Sequence, residues 1–277
     1  PAGTSKYEKR GIATVVPIWD AEKCTQCNMC ATLCTHVCIR PFLLDAEEQK
    51  RAPASFKTIP AAGDELKGLN FRIQVSPMDC SSCEVCSVNC PTNALKMTNF
   101  RDVHEVEAKN WDFAMTLKNK GNLLDKNTVK GLAFQTPMLE FNGACAGCGE
   151  TPYAKLLTQL FGDKMYLANA TGCTQAWGAA MPCVPYCKNA QGKGVAWSNS
   201  LFENNAEFSY GMCLAVRQLR DAATNYVREL DALTKDETVK AAIAGYFAVY
   251  DDLDASTPAT EKLVAALKSA KLTAEEQ

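Results

Sequence analysis

The period of the hydrophobic positions changes several times along the chain, and each change marks an expected element. Residues 11–19, Gly-Ile-Ala-Thr-Val-Val-Pro-Ile-Trp, form a β-branched run that predicts a strand. Residues 71–75, Phe-Arg-Ile-Gln-Val, alternate apolar and polar and predict a second strand. Between them, residues 39–70 carry Lys, Glu, Pro and Ala without a sustained period and read as an inserted loop. Both strands run into dense groups of cysteines. Strand, cysteine loop and short return thus occur twice, an internal repeat whose two units are expected to pack on one another.

From residue 100 to 136 the composition turns polar, with Asn and Lys gathered at 118–130, which predicts a linker or arm and a domain boundary near Pro137. Beyond it, Thr151 and Pro152 offer a cap and a first-turn proline. Tyr153, Leu156, Leu157, Leu160 and Phe161 mark one helical face, and Gly162 a stop. Residues 165–170 read as a buried strand, and a strand after a helix predicts the start of an α/β domain. Phe208, Met212, Val216, Leu219, Ala223, Tyr226 and Leu230 recur at helical spacing, and Thr257-Pro258 opens a further helix with Leu263, Val264 and Leu267 on its face. Both stripes are expected to pack into a core. The chain opens on Pro1 and closes on a charged, helical stretch at 268–277 with no strand after it, so both ends read as cut from a longer protein.

Charge removes some classes of function. With 29 basic and 31 acidic residues among 277, the net charge of −2 supplies no field to hold a nucleic-acid backbone or an anionic membrane surface. The longest apolar runs, such as 12–18, stop well short of the roughly twenty residues that a bilayer needs. No secretory leader is expected. A soluble protein is expected.

The fifteen cysteines change the picture most. Their number is odd, no leader precedes them, and most stand two residues apart, which argues against a disulfide framework and for a shared ion or cluster in a reducing compartment. Cys24, Cys27, Cys30 and Cys34 follow C-x2-C-x2-C-x3-C, and Cys80, Cys83, Cys86 and Cys90 repeat it, with Pro91 after the last. This is the two-cluster bacterial ferredoxin pattern: one loop wraps three irons of a cubane and the fourth ligand comes from the other run. The expected sets are therefore Cys24, Cys27, Cys30 with Cys90, and Cys80, Cys83, Cys86 with Cys34. Structural zinc also takes four cysteines, but its ligand pairs are separated by a longer finger that neither run contains. Thr35 stands where the usual motif has proline.

A third group, Cys145, Cys148 and Cys173, lies in Gly-rich surroundings, and by spacing alone it fits a zinc site, a redox dithiol or a third cluster. Cys38, Cys183, Cys187 and Cys213 are expected to be small buried apolar residues. His36 and His104, the two histidines, receive no role.

Four segments carry a resemblance. They are Gly-Ala-Cys-Ala-Gly-Cys-Gly-Glu-Thr-Pro-Tyr at 143–153, Ala-Asn-Ala-Thr-Gly-Cys at 168–173, Ala-Trp-Ser-Asn-Ser-Leu-Phe-Glu-Asn-Asn-Ala-Glu at 196–207, and Cys24 with Ile-Arg-Pro-Phe-Leu-Leu at 39–44. With them the chain resembles pyruvate:ferredoxin oxidoreductases, or pyruvate synthases, from about Tyr7 to Leu267. The resemblance implies an α+β two-cluster ferredoxin-like domain at 1–100, a linker at 101–136, and the beginning of an α/β thiamine-diphosphate-binding domain at 137–277. It further implies that Cys145, Cys148 and Cys173 are three ligands of a proximal 4Fe-4S cluster, with Glu150 and Cys173 at the thiamine cofactor. The fourth ligand, and the Gly-Asp-Gly motif that holds Mg2+ and the diphosphate, are expected beyond this chain.

The implied reaction is oxidative decarboxylation of pyruvate with coenzyme A to acetyl-CoA and carbon dioxide. Single electrons pass from thiamine diphosphate through three 4Fe-4S clusters to ferredoxin or flavodoxin, or to NADP through a fused flavin module. The remaining segments of the enzyme and a homodimer are implied partners. An intracellular reducing compartment is the implied location: cytoplasm, or mitochondrion or hydrogenosome in a eukaryote. No catalytic acid or base is identified among these residues. The rival is a non-catalytic iron-sulfur electron-carrier subunit, which would have no need of Glu150 or of the Ala-Thr-Gly-Cys strand end.

Overall fold

Strand β1 (Val15–Trp19) forms within the predicted β-branched run and leads into the first cysteine loop, which ends in helix α1 (Met29–Leu33) and strand β2 (Ile39–Leu44). Helix α2 (Ala46–Lys50) and the short strand β3 (Ile59–Pro60) follow. Strand β4 (Asn70–Val75) then delivers the second cysteine loop, helix α3 (Val85–Val88) and strand β5 (Leu95–Asn99). The computed structural model describes residues 2–180, 182–271 and 273.

Pairing crosses between the repeats. β1 runs antiparallel to β5, with Val16 opposite Thr98, and β2 runs antiparallel to β4, with Pro41 opposite Ile73. Neither repeat closes a sheet by itself, so the two fold as one body around Val16, Leu43, Phe71, Ile73, Val75 and Leu95.

The stretch that begins at residue 39 is thus a strand and not the start of an excursion. Pro41 disguised it; β2 is an edge strand, where a residue without an N–H is tolerated. In β4 the polar positions are buried as well. The Arg72 guanidinium lies 4.3 Å from the Phe56 ring centroid and donates to Lys57 O and the Glu107 carboxylate, so both faces of the strand are covered.

The segment read as an arm is structured. Asn99 caps helix α4 (Phe100–Ala114), its side chain accepting from the Arg101 N–H at 3.0 Å. Trp111 and Ala114 are buried, and Trp111 packs edge-on against Phe42 and Phe141. The helix needs only a few large residues at three- and four-residue spacing to bury its inner face, so the polar remainder dominated the composition. The Asn- and Lys-rich stretch that follows is held by Lys120, which donates to the Glu48 carboxylate and to Leu43 O, and by helix α5 (Val129–Ala133).

Helix α6 (Thr151–Phe161) stops at Gly162 as expected, but Thr151, expected as the cap, is its first helical residue and Glu150 takes the cap position. Its buried positions, however, are Thr151, Lys155 and Thr158, whereas Tyr153, Leu157 and Phe161 are exposed. Strand β6 (Tyr166–Asn169) is also not the buried strand expected, with Tyr166 exposed. The turn α7 (Cys173–Gln175) winds wider over Ala176–Ala180, and β7 (Ala196–Asn199) returns parallel to β6.

Compactness divides the chain into Pro1–Phe208 and Ser209–Gln277, so residues 137–208 belong to the same unit as the cysteine repeat. The long helix α8 (Asn205–Leu233) presents Leu219 and Tyr226 to solvent, against the core packing expected of its stripe. In the second unit, α9 (Glu237–Ala248) and α10 (Ser256–Ser269) meet through Val239, Ile243, Leu263 and Ala266. Val264 of the predicted α10 face is exposed. Of the helical stretch expected at 268–277, residues 272 and 274–277 lie outside the described residues. Among the described residues, no helix is long and apolar enough to cross a membrane.

Candidate metal centre

The two cysteine loops have one backbone. Gln26 and Asn28 in the first have φ of 59° and 60°, and their counterparts Ser82 and Glu84 have 56° and 61°. After the fourth cysteine of each run, Val37 (58°) and Asn93 (52°) match again. Left-handed backbone costs a non-glycine residue roughly 1–2 kcal/mol, and for β-branched Val37 it is a true outlier. Repeated residue for residue in both loops, this strain turns backbone N–H groups toward the cysteine sulfurs. The Gln26 N–H stands 3.4 Å from Cys24 Sγ and the Ala94 N–H 3.1 Å from Cys90 Sγ. Such concave rows of N–H groups are suited to anionic sulfur.

Two cavities result. One is lined by Cys24, Cys27, Cys30 and Cys90 together with Trp19, Ile73 and Leu95. The other is lined by Cys34, Cys38, Cys80, Cys83 and Cys86 with Pro17, His36 and Met97. The structure therefore brings three cysteines of each loop together with the fourth of the other run, as the crossed strand pairing requires.

The donor set fits an iron-sulfur cluster better than a lone ion. Among the described residues, no group of three or more His, Cys, Asp or Glu stands closely enough to hold a single metal ion. Structural zinc would need four ligands gathered tetrahedrally at about 2.3 Å, whereas a cubane spreads its thiolates over a larger object. Burial, then the neighbouring Cys24, pushes the Cys30 thiol up to about 12, and burial with Cys34 pushes Cys86 up as well. At these two positions a thiolate needs positive charge from what it binds, whereas Cys34, Cys80 and Cys90 are held below the ordinary thiol value.

The third group sits against this body. Gly147, with φ +74°, occupies the turn between Cys145 and Cys148, and a Cβ there would lie 3.9 Å from Cys83 Cβ. Four ties lock residues 142–155 onto the stretch around Cys34. Asn142 Nδ2 donates to Thr35 O at 2.9 Å, and the Thr151 hydroxyl donates to the same oxygen at 2.7 Å. Buried Lys155 donates to Ala31 O and Thr32 O at 2.5 and 2.6 Å. His36 Nε2 meets Ala144 O at 2.9 Å. The sequence reading assigned His36 no role; its place two residues after a predicted ligand was the available signal.

Cys145, Cys173 and Glu150 are exposed and Cys148 is half-buried. Cys173 opens α7 directly after Gly172, and Glu150 stands at the cap position of α6. Of the four cysteines expected to be buried and inert, Cys38 is buried, Cys183 and Cys187 are half-buried, and Cys213 is exposed on α8.

No protein-family profile matches the chain. Its similarity runs instead to a class of enzymes that act on pyruvate. It is 48% identical over 269 residues to the pyruvate:ferredoxin oxidoreductase of Moorella thermoacetica, covering 96% of this chain and 23% of that protein. It is 52% identical over 241 residues to the NADP-dependent pyruvate dehydrogenase of Cryptosporidium parvum, covering 86% and 12% respectively. It is 46% identical over 273 residues to the pyruvate-flavodoxin oxidoreductase of Klebsiella pneumoniae, covering 98% and 23%. The chain spans less than a quarter of the length of these relatives. Over that shared stretch it is similar to pyruvate:ferredoxin and pyruvate-flavodoxin oxidoreductases.

Proposed function

We propose that this chain is the electron-conducting part of a pyruvate oxidoreductase, an enzyme that converts pyruvate and coenzyme A to acetyl-CoA and carbon dioxide. The observation that carries the proposal is the pair of cavities, each walled by three cysteines of one loop and the fourth of the other. Cys24, Cys27, Cys30 and Cys90 hold one 4Fe-4S cluster in this reading, and Cys34, Cys80, Cys83 and Cys86 the second. Cys145, Cys148 and Cys173 are three ligands of a third, with the fourth thiolate and the Mg2+-diphosphate motif supplied by other segments of the enzyme. The first part is a ferredoxin-like domain, and the helix and parallel strand pair after it open a thiamine-diphosphate-binding domain.

Thiamine diphosphate, when bound, supplies the electron sink on which the 2-oxo acid loses carbon dioxide. The residues of this chain hold the route outward. Cys173 and Glu150 are exposed, and the Cys145–Cys148 turn abuts the Cys83 loop. The apolar linings, Trp19, Ile73 and Leu95 in one cavity and Pro17 and Met97 in the other, keep water from the clusters and favour low potentials. Ferredoxin or flavodoxin, or a fused flavin module, receives the electrons. The protein works in a reducing compartment, the cytoplasm or an organelle, as a homodimer.

The test is anaerobic purification of the full-length protein with iron and sulfide analysis. Twelve iron atoms per subunit and coenzyme A-dependent reduction of ferredoxin by pyruvate are expected, on the basis of four irons per cubane. Zinc in place of iron, or iron-loaded protein that only relays electrons, would favour a structural site or a carrier subunit instead.

A further inference from the structure

The repeat is close enough for residues to be compared one for one across it. Cys34 corresponds to Cys90, His36 to Thr92, Val37 to Asn93 and Cys38 to Ala94. In both runs the backbone at the second and fourth residues after the last cysteine hydrogen-bonds its sulfur: from His36 and Cys38 to Cys34, and from Thr92 and Ala94 to Cys90. Cys38 and Ala94 are both 3% exposed, and each precedes a strand. The two sites differ at this pair by one thiol. Cys38 Sγ lies 3.5 Å from Cys34 Sγ, its side chain also hydrogen-bonds Cys80, and it lines the cavity that these two share with Cys83 and Cys86. In the other cavity Ala94 offers the sulfur only its backbone N–H.

We infer that Cys38 is a potential-setting residue: uncoordinated, it donates its one S–H to the ligand thiolate of Cys34, beside Cys80, and makes their cluster the easier of the pair to reduce. The inference rests on the reading of the two cavities as cluster sites. A thiol carries one hydrogen to donate, and four cysteines already complete the ligand set. Adding an electron to a cluster raises the negative charge on its sulfurs, so a donor held against them stabilises the reduced form more than the oxidised one. The extra thiol falls in the cavity whose Cys83 adjoins the turn of the third group, whereas in the twin site the side-chain group near the fourth sulfur is the Thr92 hydroxyl, more distant at 3.9 Å from Cys90 Sγ.

The experiment is an EPR-monitored redox titration of the full-length, iron-loaded protein in four forms: unaltered, Cys38→Ala, Cys38→Ser and Ala94→Cys. Cys38→Ala installs the residue of the twin site. It is expected to keep its full iron and shift one midpoint to more negative potential, leaving the others in place. Cys38→Ser, which retains a donor, is expected to keep that midpoint close to its original value. Ala94→Cys is expected to raise a different midpoint. Full iron with no midpoint moved in Cys38→Ala would overturn the inference, and loss of one cluster's iron would overturn it by making Cys38 a ligand. An unaltered protein without 4Fe-4S signals would defeat the cluster reading itself, a result distinct from either.

Discussion

His36 and Ala144 meet at 2.9 Å, imidazole Nε2 to carbonyl oxygen, joining the stretch after Cys34 to the residue before Cys145. The other ring nitrogen stands 2.8 Å from the Thr35 hydroxyl and 3.2 Å from that of Ser81. A carbonyl only accepts, so Nε2 carries the hydrogen and Nδ1 accepts from a hydroxyl. One buried ring thereby touches all three cysteine groups.

His36→Leu is expected to leave Ala144 O and the Ser81 hydroxyl short of a partner, at about 1–3 kcal/mol for a buried unsatisfied group. Reduction of the cluster pair by dithionite should be unchanged, because the cavities keep all eight cysteines. Reduction by pyruvate should slow, because the turn that carries Cys145 loses an anchor, and His36→Gln should recover part of the rate. Stopped-flow absorbance with each reductant makes the comparison. Equal slowing with both would show that the ring supports the body as a whole and not this junction.

Crossed ligation makes a sharper expectation. Cys90→Ala should damage the cluster wrapped by Cys24, Cys27 and Cys30 and spare the one wrapped by its own loop. Cys34→Ala should do the reverse. Mössbauer spectra of the two variants would show loss at different centres. Loss of the cluster wrapped by the mutated run itself, in each variant, would mean that each run closes its own site.

Much of this arrangement was legible in the sequence, because cysteines two residues apart admit few geometries and the repeat of spacing implied a repeat of backbone. The crossed set followed from the pattern and reappears in the lining of the cavities. What was not legible depended on partners distant in sequence. Strand β2 was hidden by Pro41, whose missing N–H matters little at a sheet edge. Helix α4 was hidden by its polar outer face. The inner face of α6 was misassigned because its partner is not an apolar surface but the open carbonyls of residues 31, 32 and 35. Polar side chains therefore face inward, and the apolar ones are left outside.

Removal of iron should act unevenly along the chain. The cavities are cut into the core that contains Ile73, Leu95, Cys80 and Cys86, and without their contents that core keeps two voids rimmed by thiols. The packing of α9 on α10 contains no cysteine. Chelation under reducing conditions should therefore abolish hydrogen-exchange protection in β1, β2, β4 and β5 while leaving much of it at Val239, Ile243 and Leu263. Simultaneous loss in both units would refute the independence of the second core.

Lys155 provides the last expectation. Its ammonium is buried against Ala31 O and Thr32 O, carbonyls at the end of α1 that lack partners within the helix. Lys155→Met keeps the apolar stem but leaves both oxygens unpaired, and should destabilise the fold by about 2 kcal/mol. The pH dependence carries its own sign. Burial holds Lys155 down to about 8, against the upward pull of Cys34, while the unfolded chain retains the ordinary value of 10.5. Between those values the unfolded chain binds more protons, so stability contributed through Lys155 rises with pH across the window and is constant below it. Iron-loaded protein compared with Lys155→Met in urea, at pH 7.5 and again at pH 9.5, should show a gap that widens at the higher pH. A gap that narrows would mean that the loaded clusters hold the ammonium above its ordinary value, and would reverse the assignment of burial as the stronger influence on Lys155.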